Sequence, residues 1–222
     1  PMEGVLVSAK RAGSTITVTV ASDAQGRYSF PRSRVEPGAY SIRIRAVGYE
    51  LEGPGTVTVT AQQTGQLDLT LRKTQDLASQ LSNGEWLTSW PGRDEQKHGL
   101  LNCTQCHTLQ PIVRSRYTAQ EFVPIIERMG RYSQGSTMAR PQLRPNTLGG
   151  GTANAIMGEA STTGREGERP VQQSRAQATA KYLASINLSS GSQWSYPLKT
   201  VPRPKGKSTR VIITEYDLPR PE

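Results

Sequence analysis

Cysteine, histidine and phenylalanine each occur only twice among the 222 residues. Two cysteines cannot build a disulfide-rich scaffold. Apolar residues make up 34% of the chain and aromatic residues 6%. A typical globular chain reaches about 45–50% apolar, glycine included. One large dense core is therefore excluded, whereas one or two small ones are not. No apolar run approaches the roughly 20 residues of a membrane-spanning helix, so the chain is not expected to cross a bilayer. No charged-then-apolar leader follows Pro1. The expectation is a signal peptide either absent or already removed, and a fragment of a longer protein is one reading. A concentrated basic face is lacking too. The net charge of +9 is spread as 9 basic and 6 acidic residues in 1–75, 12 and 9 in 76–186, and 6 and 3 in 187–222. Each part carries +3, so nucleic acid is not an expected partner. The one dense basic run is Arg203-Pro-Lys205-Gly-Lys207-Ser-Thr-Arg210. It reads as a solvated linker, with a dock for an acidic partner as the alternative.

What is present divides into three parts. Residues 1–75 alternate apolar and polar positions: Val5, Val7 and Ala9; Ile16, Val18 and Val20; Tyr28 and Phe30; Tyr40, Ile42, Ile44 and Ala46; Val57 and Val59; Leu67, Leu69 and Leu71. A period of two over short runs predicts strands with one wet face. Turn residues separate them at Asp23–Gly26, Glu36-Pro-Gly38, Gly53-Pro-Gly55 and Gln63-Thr-Gly65. Six short strands at this spacing predict a small antiparallel β-sandwich. The run Ser22-Asp-Ala-Gln-Gly-Arg-Tyr-Ser-Phe30, then Pro37-Gly-Ala-Tyr40, then Val47-Gly-Tyr49 resembles the carboxypeptidase regulatory-like (transthyretin-like) β-sandwich family. That resemblance implies a fold and a scaffold or binding role. It implies no reaction, and no cluster of His, Cys or paired carboxylates lies in this part.

Residues 76–187 read as mostly helical. Thr118-Ala-Gln-Glu121 is a capping box. Phe122, Ile125, Ile126 and Met129 follow at helical spacing, with Pro124 expected to kink the helix or delay its start. Residues 144–170 are glycine-rich and read as a long loop. A terminal helix is predicted over 172–186, with Ala176, Ala180, Leu183 and Ala184 on one side.

Both cysteines fall in Cys103-Thr-Gln-Cys106-His107, the Cys-x-x-Cys-His signature of c-type haem attachment. Two thiols three residues apart reach the two vinyl groups of one haem, and the adjacent imidazole meets the iron. Covalent fixation suits a chain with little core. Three other uses of the motif compete. A structural disulfide rarely has this spacing beside a histidine. A thioredoxin-like pair belongs at a strand-to-helix junction, and no such strands flank it. Zinc needs four ligands, and only Cys103, Cys106, His107 and His98 are at hand.

The same stretch resembles short mono-haem class I cytochrome c domains: Cys103 to Leu109, Arg114-Ser-Arg116, Glu121-Phe122, Glu127-Arg-Met129 and Tyr182-Leu-Ala184. The candidates for a sixth iron ligand are Met129, Met157, Met138 and His98, with an open site as the remaining option. The insertion at 139–170 departs from the compact pattern of that family. Arg114 and Arg116 are candidates to neutralise haem propionates, against a reading as solvated arginines. Trp86 and Trp90 are candidate walls of the haem or ordinary packing aromatics. A carbonyl near Gln110-Pro111 is the expected acceptor for His107 Nδ1.

Residues 188–222 read as an extended C-terminal arm ending in the β-prone Val211–Tyr216. The candidate mates of that strand are the sandwich, another chain or a missing domain. Ser189–Pro197 and Thr214–Pro219 resemble the front part of bacterial proteins that continue into a propeller similar to virginiamycin B lyase. By that resemblance any lyase chemistry lies in an absent C-terminal propeller.

The fold expectation is thus an α+β multidomain chain: a β-sandwich, an all-α cytochrome c domain, and an arm. The expected function is one-electron transfer through one covalent haem c, with a redox protein as partner and the sandwich as a docking module. Because bacterial haem attachment occurs outside the cytoplasm, the expected location is periplasmic or extracellular. The alternatives are a haem-bearing module that binds carbohydrate or protein, and an open-site haem sensor or enzyme.

Overall fold

A computed structural model describes residues 1–61, 65–133, 136, 140–143 and 168–218, with 168–174 described as helical backbone only. The chain parts into two units, Pro1–Gln80 with Val201–Glu222, and Leu81–Thr200. The stretch read as one arm, 188–222, is divided between them. Met138, Met157 and most of the expected 144–170 loop lie outside the described residues.

The first unit is an antiparallel β-sheet domain. Its strands are β1 (Leu6–Arg11), β2 (Ile16–Ala21), β3 (Gly38–Arg45), β4 (Tyr49–Glu52), β5 (Thr56–Val59), β6 (Thr70–Lys73) and β7 (Ile212–Tyr216). Five form one sheet in the order β5-β3-β1-β2-β7, and β4 pairs with β6 in a second. Register puts Val7 opposite Val20 and Ile44, and Ala9 opposite Val18 and Ile42. Alternation thereby gathers one apolar face. Its buried core is Val5, Val7, Ala9, Val20, Tyr40, Ile42 and Ala46, and Tyr49, Leu51 and Leu71 stand on the second sheet. Tyr49 and Leu71 pack against that core. Each fully buried Val or Ile contributes about 1.5–3 kcal/mol.

Two strand expectations are corrected. Tyr28 and Phe30 pack against the core and against each other, ring centroids 6.0 Å apart, but they belong to no strand. Tyr28 instead donates its hydroxyl to the Leu67 carbonyl at 2.6 Å. Leu67 and Leu69, expected in the strand with Leu71, lie ahead of β6, which begins at Thr70. A short strand, β4, also follows Gly48 where alternation gave no cue. The β-prone C-terminal stretch finds its mate within the same unit, as β7 along β2.

The return of the chain to this domain depends on Gly4. Its φ is 76°, and a Cβ there would lie 2.2 Å from the Pro204 carbonyl oxygen. Beside it, Arg203 Nε donates to the Glu3 carbonyl at 3.1 Å and the Gly206 N–H to Glu3 Oε1 at 2.7 Å. Gly4→Ala is expected to cost about 2 kcal/mol or more, from left-handed strain and overpacking together. Urea unfolding followed by circular dichroism checks this, and an unchanged midpoint would refute it.

The second unit is helical: α2 (Asn83–Ser89), α3 (Asp94–His98), α4 (Gln110–Val113), α5 (Ala119–Met129) and α6 (Glu168–Ile186), while the short α1 (Leu77–Gln80) belongs to the first. α5 starts where its capping box predicts: Thr118 Oγ1 accepts from the Glu121 N–H, and Glu121 Oε2 accepts from the Thr118 N–H at 2.8 Å. Those bonds satisfy the first turn, and the helix runs through Pro124 to Met129. Accepting from the Thr118 N–H, and then from its hydroxyl, lowers the Glu121 pKa below the usual carboxylate value. α6 buries Ala176, Ala180, Tyr182, Leu183 and Ile186, while Ala184 is only partly buried. No helix among the described residues is long and apolar enough to cross a membrane.

Candidate functional site

Cys103 lies in a 3-10 segment, Gly99–Gln105, that continues α3, and Cys106 and His107 form the turn after it. Buried side chains anchor both flanks: Leu100 before the motif, Leu109 and Val113 after it. The Leu109 N–H donates to Asn83 Oδ1 at 2.9 Å, tying the end of the motif to α2. Asn83 sits behind the Ser82 N-cap of α2, whose buried Glu85 accepts from the Ser82 N–H at 2.8 Å. The Ser-x-x-Glu spacing of 82–85 was the available cue to this helix start. Nothing local announces the bond from Asn83 to Leu109.

The motif itself is partly buried, and both thiols are free. Burial, and then the neighbouring Cys106, push the Cys103 pKa up to about 11. An activated redox cysteine has its pKa pushed the other way. His107 Nδ1 lies 2.7 Å from the Thr108 carbonyl oxygen. A carbonyl only accepts, so Nδ1 carries a proton, and in the neutral ring Nε2 is the nitrogen with the lone pair. Among the described residues Nε2 has no hydrogen-bond partner. The acceptor is thus Thr108 rather than a carbonyl near Gln110-Pro111.

The other candidate residues lie on separate elements of this unit. His98 ends α3, exposed to solvent. Met129 ends α5 and is 37% exposed. Arg114 donates through Nε to Gln110 Oε1 at 2.9 Å and stands over the Trp194 ring at 6.0 Å. Arg116 donates through Nη1 to the Leu188 carbonyl at 3.5 Å. Among the described residues no three of His, Cys, Asp and Glu gather as a metal cluster. A zinc site of Cys103, Cys106, His107 and His98 therefore has no counterpart there.

An aromatic group completes the unit. Trp86 is fully buried, with its ring centroid 5.2 Å from that of Trp194. Trp194 donates to the Val113 carbonyl at 3.0 Å, and Tyr196 donates to the Ile186 carbonyl at 2.6 Å. The Trp86 and Trp90 indole N–H groups are buried with no acceptor in hydrogen-bond geometry among the described residues, although the Trp90 N–H lies towards the Tyr196 hydroxyl. Orphaned donors of this kind are rare. Two free thiols and one imidazole whose Nε2 has no partner among the described residues fit a group that would take two sulfur links and one nitrogen.

Comparison with known families assigns the other unit. Residues 1–72 match the carboxypeptidase regulatory-like domain. The regulatory-like domain accounts for β1 to β6 almost to the end of β6, and β7 lies outside the matched residues. No curated protein and no solved structure matches the chain.

Proposed function

We propose that the chain is a c-type cytochrome that transfers single electrons, with its regulatory-like domain as a docking or scaffold module. The reading is carried by one observation: Cys103-x-x-Cys106-His107 combines two free thiols with an imidazole whose Nδ1–H is held by a backbone carbonyl and whose Nε2 is open. A bound haem supplies an iron that cycles between two oxidation states. Cys103 and Cys106 hold its edge through sulfur. His107 would offer Nε2, and the Thr108 carbonyl keeps that ring oriented. Arg114 and Arg116, close in sequence to the motif, would supply positive charge for propionates. Met129 is the proposed sixth ligand, and its exposed place at the end of α5 leaves the thioether accessible. Such a chain matures outside the cytoplasm and meets a redox protein as its partner.

The test is production of the chain in bacteria with haem-attachment machinery, followed by denaturation and solvent extraction. The expected result is an intact mass raised by one haem, and none after Cys103→Ser with Cys106→Ser. A folded wild-type chain that carries no covalent haem would overturn the proposal. In the haem-bearing chain, loss of a far-red sulfur-to-iron band in Met129→Ala assigns the sixth ligand.

A further inference from the structure

β7 is an edge strand with its outer side open among the described residues. The Asp217 N–H donates to the Thr15 carbonyl at 2.8 Å, and Ile16 stands opposite Tyr216. In an antiparallel pair, backbone groups of alternate residues point to one neighbour. Those of Ile213, Glu215 and Asp217 therefore bond β2, and those of Ile212, Thr214 and Tyr216 face outward. The same three residues continue the apolar face, since Val20 lies opposite Ile212 and Val18 opposite Thr214. Yet that face is uncovered at this edge: Ile212 is 52% and Tyr216 64% exposed, with Ile16 beside them at 40%. At the opposite edge Val57 and Val59 of β5 are partly buried against the core.

Natural sheets guard an open edge with lysine, proline, a bulge or a cover. β7 is Ile-Ile-Thr-Glu-Tyr and has no lysine, no proline and no bulge in its register. We propose that β7 pairs antiparallel with β7 of a second copy of this chain, joining two five-stranded sheets into one. The strand is self-complementary about Thr214. Ile212 then stands opposite Tyr216 of the second copy, a β-branched–aromatic pair of the favourable kind. Glu215 stands opposite Ile213, Val211 opposite Asp217, and Arg210 opposite Leu218, so no like charges meet. A two-fold axis through Thr214 closes the assembly at two chains. This pairing uses only the β unit and is independent of the haem reading.

Sedimentation of the full chain in reducing buffer, over about a hundredfold range of concentration, tests it. The expected result is reversible association to about twice the 24.3 kDa of one chain. Thr214→Pro removes an outward N–H and leaves the β2–β7 bonds in place. Ile212→Lys puts a charge on the uncovered face. Each is expected to weaken association at least about tenfold. Ile212 is exposed, so that variant stays folded even if Thr214→Pro does not. A wild-type chain that stays monomeric throughout overturns the proposal. So does a dimer that survives Ile212→Lys in a chain with native circular dichroism, or one that exists only without reductant.

Discussion

Before any group is attached, native Cys103 is expected to react with iodoacetamide about a hundredfold more slowly at pH 8 than an unperturbed thiol. The thiolate is the nucleophile, and each unit of pKa changes its fraction tenfold below the pKa. Burial and the neighbouring Cys106 move Cys103 from 9.0 to about 11. Peptide mass mapping of chain alkylated in buffer and in urea measures the ratio. Equal rates in the two would show that the native turn does not shelter this sulfur. The same shift sets a stability window. The folded pKa is raised, so its contribution is complete below about 9 and is lost as pH rises towards 11. Tyr182, raised by burial to about 12, acts with the same sign at still higher pH. The apo helical unit should therefore weaken in alkali. A protonated Cys103 is also a slow attacker in thiol–disulfide exchange, which begins with a thiolate. Its sulfur thus stays available for the attachment that the proposed cytochrome requires.

Contiguous patterns in the sequence survived into the structure. The alternation of Val5, Val7 and Ala9 and of Tyr40 to Ala46 became β1 and β3, because one buried face enforces a period of two. Thr118 and Glu121 marked the start of α5 because a capping box is a local bond. Tyr28 and Phe30 showed alternation without a strand, since inward packing alone satisfies their rings and Tyr28 bonds a single carbonyl. What could not be read was pairing across the chain. β7 meets β2 nearly two hundred residues away, and Lys10 meets Asp217 at 2.5 Å. Only non-local burial decides such partners. The candidate site divides in the same way. Its motif is five adjacent residues and was legible at once. Its supports were not: Asn83 reaches Leu109, and Trp86 meets Trp194, through tertiary packing.

That tertiary packing carries the second large effect. Trp86→Ala is expected to cost the helical unit about 3–5 kcal/mol, the range for a fully buried aromatic. Trp86 is 0% exposed in a unit whose Leu109, Val113 and Ile186 are equally buried, so truncation removes a large side chain from a closely packed interior. Trp194 is only partly buried, and its truncation should cost less. Their rings are tilted at 57° with centroids 5.2 Å apart. A double-mutant cycle should return about 0.5–1.5 kcal/mol of coupling between them. Trp86→Phe separates packing from polarity. It keeps most of the apolar volume and removes the indole N–H that has no acceptor, so its cost should fall well below that of alanine. All three tryptophans lie in Leu81–Thr200, so fluorescence in a urea titration reports this unit without interference from the β domain. Each variant must keep at least one of them, and Trp90 serves throughout. If Trp86→Ala unfolds at the wild-type midpoint, Trp86 is not a structural centre of this unit, and the anchoring of the Cys103–His107 turn must be sought in Leu100 and Leu109 instead.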